Sequence, residues 1–146
     1  MGAKLTNTRT GQVVNMVPPT QTPYPLLQVV VGDTVRIDWT ITNIGGSSGS
    51  FTAIWATGVG DKQWTGTLNP NQSASGSGTV QYTQPMNQFT STFSVFGPDN
   101  RIQDQLRADI VVIGQAKFRI DDPPLLQRLR TRFDERLMAI ISRSST

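Results

Sequence analysis

The sequence predicts an all-β protein, an antiparallel β-sandwich with an extended N-terminal arm and a C-terminal amphipathic α-helix. Two observations predict the sandwich. Apolar and polar residues alternate strictly from Thr34 to Thr42, which indicates a strand with one buried and one solvated face. Short strands separated by turns rich in Gly, Pro, Asn and Ser then follow at regular intervals, as is typical of all-β sandwiches. A chain of 146 residues favours one domain plus appendages.

The central domain is predicted over residues 26–120, and its core lies on the inward faces of its strands. The predicted strands span residues 26–31, 34–43, 50–57, 62–68, 74–83, 88–96 and 102–113. Even spacing of apolar residues predicts the buried side chains. They are Val35, Ile37, Trp39, Ile41, Phe51, Ala53, Trp55, Val80, Tyr82, Phe89, Phe93, Leu106, Ala108, Ile110 and Val112.

Residues 1–25 are predicted to form an extended N-terminal arm. The segment is rich in Thr, Asn and Gln, and it ends in Pro18-Pro19 and Pro23-Tyr24-Pro25. Prolines fix φ and lack a backbone donor, so such a segment pairs at most at a sheet edge. Two roles are open for the arm: it closes one side of the sandwich, or it reaches a neighbouring subunit.

Residues 121–146 are predicted to form an amphipathic helix and tail. Asp121 and Asp122 supply an N-cap, and Pro123 and Pro124 fit the first helical turn. A sandwich of this length closes its own core, so the apolar stripe of the helix is expected to contact another subunit or a larger partner. The stripe consists of Leu126, Leu129, Phe133, Leu137 and Ile140.

Positive charge is concentrated in the same C-terminal segment. The chain has a formal net charge of +3, and the Lys and Arg residues before Lys117 are balanced by Asp, so the excess lies in residues 117–146. Three roles are open for the arginines of the helix: a solvated face, contact with an acidic partner or subunit, or contact with a nucleic-acid backbone. The candidates for an acidic partner are Arg128, Arg132 and Arg136.

The residue types exclude most catalytic templates. With no Cys and no His, disulfides, thiolate nucleophiles, typical structural zinc sites and imidazole acid–base chemistry are excluded. Asp99 and Asp104 lack the spacing of a calcium loop, and no glycosidase-like carboxylate pair is specified among Asp33, Asp38, Asp61 and Asp109. We therefore expect no enzyme, cofactor or metal site. The longest apolar runs are too short to predict a membrane span.

One aromatic residue stands apart from the predicted core. Trp64 lies in the polar run from Asp61 to Gly66, and it is a candidate for an exposed contact residue. Trp39 and Trp55 each lie at an apolar position of a strand in which apolar and polar residues alternate, and they are predicted to fill the core.

Three turn sequences carry a family resemblance. They are Gly32-Asp33-Thr34-Val35, Asn43-Ile44-Gly45-Gly46 and Leu68-Asn69-Pro70-Asn71-Gln72-Ser73. Over Leu26 to Ile113 this pattern resembles the CARDB-type immunoglobulin-like modules, the cell-adhesion-related domains of bacterial and archaeal surface proteins. Asn71 stands where that family has glycine. The resemblance implies an immunoglobulin-like sandwich and a role at the cell surface.

The favoured hypothesis is a non-enzymatic structural or interaction protein of a multi-subunit assembly. A short, cysteine-free sandwich with an N-terminal arm also looks like the accessory proteins that decorate or cement virus and phage capsids, so the virion is the expected location. One alternative is a CARDB-like adhesion module at the cell surface. Another is a nucleic-acid-associated protein that uses the basic helix. The alternative locations are the cytoplasm, or the cell surface if a leader was removed.

Overall fold

A computed structural model describes residues 1–115 together with Phe118 and Ile120, and this part of the chain is all-β. Its strands are β1 (Gly2–Asn7), β2 (Val13–Asn15), β3 (Leu26–Val30), β4 (Thr34–Thr42), β5 (Gly49–Ala56), β6 (Lys62–Leu68), β7 (Ser73–Gln81), β8 (Met86–Phe96) and β9 (Ile102–Ile113). The seven strands predicted from the sequence are confirmed as β3 to β9, with ends that differ by at most two residues.

The strands form two sheets that enclose one core. The four-stranded sheet has the order β2-β1-β4-β7, and the five-stranded sheet has the order β3-β9-β8-β5-β6. Neighbouring strands are antiparallel except β3 and β9, which are parallel. The predicted inward face of β4 is confirmed, because Val35 and Ile37 are fully buried and Trp39 is only 4% exposed. The sheets therefore form the predicted β-sandwich.

Of the two roles open for the predicted arm over residues 1–25, the structure shows the first, because the segment contributes β1 and β2 to the sandwich. β1 lies between β2 and β4 in the four-stranded sheet, with Leu5 opposite both Val14 and Ile37. Leu5 is fully buried in the same core cluster as the side chains of β4. The sandwich therefore begins at Gly2 and not at Leu26, and the N-terminal segment closes one side of its own domain.

A buried polar network ties the end of β1 to the turn before β4. The Nδ2 of Asn7 donates to the carbonyl of Gln28 at 3.0 Å and to Asp33 Oδ2 at 2.9 Å. The guanidinium of Arg9 also donates to the Asp33 carboxylate. This bond from Arg9 is the largest cause that lowers the pKa of Asp33 to about 2. A segment that is polar in sequence is thus held in the fold by hydrogen bonds to an ionised, buried carboxylate.

Aromatic rings pack onto glycines of the neighbouring edge strands. The indole of Trp39 covers its cross-strand partner Gly76, since a Cβ there would lie 2.3 Å from the ring. Phe51 covers Gly66 in the same way, because a Cβ on Gly66 would lie 2.8 Å from the phenyl ring. The glycines therefore make room for the large rings at this margin of the core.

The predicted C-terminal helix lies outside the residues that the structure describes. In the described part of the chain, no helix is long and apolar enough to cross a membrane.

Candidate functional site

One recessed surface of the sandwich is a groove at one end, formed by two loops. One wall is the segment 42–50 between β4 and β5, and the other is the turn after β8, with Phe96, Gly97 and Pro98. We call this the loop-end groove. Its volume is about 520 Å³, which is within the range of ligand and peptide pockets.

Asn43 holds the first wall in place. Its Nδ2 donates to the carbonyls of Ser47 and Leu68, both at 2.9 Å, and its Oδ1 accepts from Gly45 N at 2.9 Å. One side chain thus closes its own loop and ties it to the end of β6. Ser48 adds a bond from its Oγ to Asn69 Oδ1 at 2.7 Å. These hydrogen bonds hold the loop in one conformation. The wall therefore loses little conformational entropy when it binds a partner.

The second wall is a tight turn that contacts the first wall. Asn100 N donates to the carbonyl of Gly97 at 3.0 Å, and Gly97 N donates to the carbonyl of Arg101 at 3.1 Å. Asn100 has a φ of 63°, a left-handed conformation that Asn tolerates better than most residues. Pro98 lies against Gly49, where a Cβ would be 3.3 Å from the proline Cγ. The two walls meet at this contact.

The floor of the groove is apolar, and its rim is exposed. Ile41, Phe51, Leu68 and Val95 line it and belong to the buried core. At the rim, the side chain of Ile44 is 91% exposed. Among the described lining residues, Asp104 is the one titratable side chain. This arrangement suits the binding of an uncharged, apolar group, with backbone amides and serine hydroxyls around it.

The turn between β6 and β7 supports the base of the groove. Gln72 N donates to the carbonyl of Asn69 at 3.0 Å, and Asn71 has a φ of 64°. A proline followed by a residue with positive φ is typical of a type II turn, in which glycine or asparagine is favoured after the proline.

The prediction that Trp64 is an exposed contact residue is wrong. Its ring is half-buried, and its centroid lies 5.5 Å from that of Trp39 in the opposite sheet. The ring also lies against Gly78 of β7, where a Cβ would be 2.8 Å away. Because Gly78 leaves this space, Trp64 turns inward from an otherwise polar strand.

The carboxylates named from the sequence do not gather at one place. Asp33 belongs to the network of Asn7 and Arg9. Asp38 pairs with Arg36 at 3.0 Å, and Asp109 accepts hydrogen bonds from Gln88 and Thr90. Among the described residues, no three Asp, Glu, His or Cys side chains lie close enough together to hold a metal ion.

The interface residues predicted on the C-terminal helix remain predictions. Leu126, Leu129, Phe133, Leu137 and Ile140, as well as Arg128, Arg132 and Arg136, lie outside the described residues. The loop-end groove was not predicted, because its walls come from loops more than forty residues apart in the chain. The glycines and serines of residues 45–50 were the one signal, and they indicate only a turn.

Comparison with models of known protein families finds none that matches this sequence. A comparison with curated proteins likewise finds no match.

Proposed function

We propose that the protein is a non-enzymatic component of a multi-subunit assembly, in which the loop-end groove of one copy binds Phe118 and Ile120 of the next. The observation that carries the proposal is the presence of two complementary apolar surfaces on one chain. One is the recessed floor of the groove. The other is the pair Phe118 and Ile120, whose side chains are 93% and 92% exposed.

The direction of β9 makes the contact one between copies. β9 begins beside the turn that forms the second wall of the groove, and it runs for 12 residues to Ile113. A strand of that length spans roughly 40 Å, so the chain leaves the sandwich at the end opposite to the groove. In a head-to-tail arrangement of copies, the end of β9 in one copy faces the groove of the next, and Phe118 follows Ile113 by five residues.

The chemistry of the two surfaces matches. Burying an exposed aromatic or branched apolar side chain stabilises a contact by about 1.5–3 kcal/mol, and both walls of the groove are already braced before binding. The described lining contributes one carboxylate, so the apolar side chains of Phe118 and Ile120 meet little desolvation penalty there. A head-to-tail contact of this kind is heterologous and generates rings or filaments.

The strand order supports an immunoglobulin-like type for the sandwich. In immunoglobulin domains the first, second and fifth strands share one sheet, and the third, sixth and seventh share the other. β1, β4 and β7 fit the first set, and β5, β8 and β9 fit the second. Trp39 of β4 stacks on Phe93 of β8 with centroids 5.8 Å apart, across the strands that antibody domains join by a disulfide. The fully buried Trp55 lies on β5, the strand that carries the buried tryptophan in those domains.

The favoured instance is a virion accessory protein that decorates or cements a capsid. The polar outer face of the four-stranded sheet, with Thr40 and Gln81 exposed, offers no apolar surface for the stripe predicted on residues 121–146, so we propose that this stripe packs between subunits. A CARDB-like adhesion module is the second candidate, because Asn71 has the positive φ that suits the family's glycine. Secretion of the native protein would favour that candidate. Binding to nucleic acid with a steep salt dependence would instead favour use of the basic tail.

Replacement of Ile44 or of Phe118 by aspartate should break the assembly. Each change places a charge at one side of the proposed apolar contact, where an unpaired buried charge is strongly unfavourable. Light scattering during size exclusion should give a lower mass for Ile44→Asp and for Phe118→Asp than for the unmodified chain. The free energy of unfolding should change little, since both side chains are exposed.

Val13→Asp is the matched control, because Val13 is also an exposed apolar residue, at 49%, but lies on β2 away from the groove. This variant should keep the mass of the unmodified chain. If the mass is the same for all three variants, or falls equally in the control, the groove is not the contact.

A further inference from the structure

We infer that β7 is the edge at which two copies of this chain join their four-stranded sheets, by antiparallel pairing of β7 with β7 of the second copy around Ser77. This contact would be isologous, with a two-fold axis, and it does not depend on the loop-end groove.

β7 is a long edge with one neighbour. It comprises nine residues, and its backbone pairs with β4 along its whole length, from Thr34 opposite Gln81 to Thr42 opposite Ser73. Among the described strands, no other strand pairs with β7. Alternate N–H and C=O groups of an edge strand point away from the sheet, and they are a template for another strand.

The opposite edges of the sandwich are protected. On β3, the outward backbone groups are hydrogen-bonded by side chains: Gln12 bonds Leu26 O and Gln28 N, both at 3.2 Å. Asn7 bonds Gln28 O at 3.0 Å, and Asp33 accepts from Val30 N at 2.9 Å. β2 is protected by its length of three residues. Very short or covered edges are the usual means by which sheets avoid pairing with other chains.

Within the part of the chain that the structure describes, β7 has none of these protections. Its sequence, SASGSGTVQ, contains no charged residue and no proline. Lysine and proline are the residues that most often keep edge strands apart. The neighbouring edge strand of the other sheet, β6, lies beside β7 through the contact of Trp64 with Gly78, and its one charged residue is Lys62 at its first position. This margin of the sandwich is thus almost free of charge over both sheets.

The sequence of β7 is compatible with its own reversed copy. When Ser77 faces Ser77 of the partner, Ser75 faces Thr79, Gly76 faces Gly78, and Ala74 faces Val80. Hydroxyl-bearing residues thus meet on the outer face and small residues on the inner face, and no like charges meet. The same chemistry already joins β7 to β4, where Thr40 bonds Ser75 at 3.1 Å and Thr42 bonds Ser73 at 2.7 Å. Ser and Thr pairs of this kind favour cross-strand association. The second copy is therefore the strand that suits this edge.

Cysteine crosslinking tests the contact and its register. The chain has no Cys, so a single cysteine can form a disulfide only between copies. In the proposed pair, the Cα atoms of Ser77 and its copy lie about 4.5–5.5 Å apart, which is within the range of a disulfide. Mild oxidation of Ser77→Cys in the full chain should convert most of the protein to a covalent dimer.

The register controls use the same strand. Ser75 and its copy would lie roughly 13 Å apart along the pair, so Ser75→Cys alone should remain uncrosslinked under the same conditions. A mixture of Ser75→Cys and Thr79→Cys chains should form the mixed dimer, because these positions face each other. Equal crosslinking at Ser75 and Ser77, or no dimer at either, would overturn the inference.

A charge at the centre of the edge gives a second test without oxidation. Ser77→Lys places like charges opposite each other at the two-fold axis, and its light-scattering mass should be lower than that of the unmodified chain at the same concentration. Val13→Lys, on the edge strand β2 of the same sheet, should keep the full mass. Unchanged mass in Ser77→Lys with a folded melting profile would overturn the inference.

Ile44→Asp should keep the Ser77→Cys crosslink, so failure of the groove contact and failure of the edge contact give different results.

Discussion

Replacement of Trp39 by alanine is expected to lower the free energy of unfolding by about 3–5 kcal/mol. The ring is almost fully buried, and it contacts aromatic rings of three strands in the other sheet, those of Phe51, Trp64 and Phe93. Its loss would leave a cavity between the two sheets above Gly76. The indole N–H is buried and has no hydrogen-bond partner in the described part of the chain. Because an unpaired donor is itself unfavourable, we expect a value near the lower end of the range, measured by urea denaturation.

The matched control is the next residue along the strand, Thr40. Its side chain is exposed on the outer face and shares one solvent-accessible hydrogen bond with Ser75. Thr40→Ala should therefore change the free energy of unfolding by no more than about 0.5 kcal/mol. Comparable losses at Trp39 and Thr40 would contradict the assignment of one buried and one solvated face to β4.

Deletion of residues 1–15 should abolish cooperative folding. The deletion removes β1 and β2, which contribute Ala3, Leu5 and Val14 to the core. It also removes Asn7 and Arg9, and it leaves Asp33 buried without these donors. The loss of several core side chains at about 2–5 kcal/mol each exceeds the stability of a typical domain. Circular dichroism during thermal denaturation should show no sharp transition for the shortened chain.

A single substitution in β1 also tests whether this strand is part of the fold, without removing it. Leu5→Ala should lower the free energy of unfolding by about 2–5 kcal/mol, because Leu5 is fully buried. The neighbouring Lys4 is exposed, so Lys4→Ala should have little effect.

A shortened chain that melts at the temperature of the full chain would show that β1 and β2 are dispensable, in contradiction to the fold.

The strands from β3 to β9 could be predicted because burial and sequence period agree there. Along β4 every second side chain is apolar, and the same side chains are buried. The turns were equally informative. Pro70 and Asn71 mark a turn by their backbone preferences, and the structure has the positive φ that such a turn requires.

β1 and β2 could not be predicted, because polar contacts replace part of their apolar pattern. The inward positions of β1 are Ala3, Leu5 and Asn7, and of these only Leu5 is a large apolar residue. Asn7 is fully buried because its amide meets Asp33 and Gln28 across more than twenty residues of sequence. Local periodicity carries no information on such long-range partners.

The position of Trp64 was mispredicted for a related reason. Its strand is mostly polar, so the sequence suggested exposure. The space that accepts the ring is made by Gly78 on a strand of the other sheet. The loop-end groove was missed likewise, since its two walls, which meet where Pro98 lies against Gly49, come together only in the folded domain.

Whether this protein assembles with itself is decided by the mass of the unmodified full chain in solution. Light scattering should be recorded over a concentration series from about 1 to 100 µM. We expect an average mass that is well above 16.0 kDa and that grows with concentration, because one isologous and one heterologous contact act together. A constant mass of 16.0 kDa over the whole series would contradict the assignment of this protein to a multi-subunit assembly.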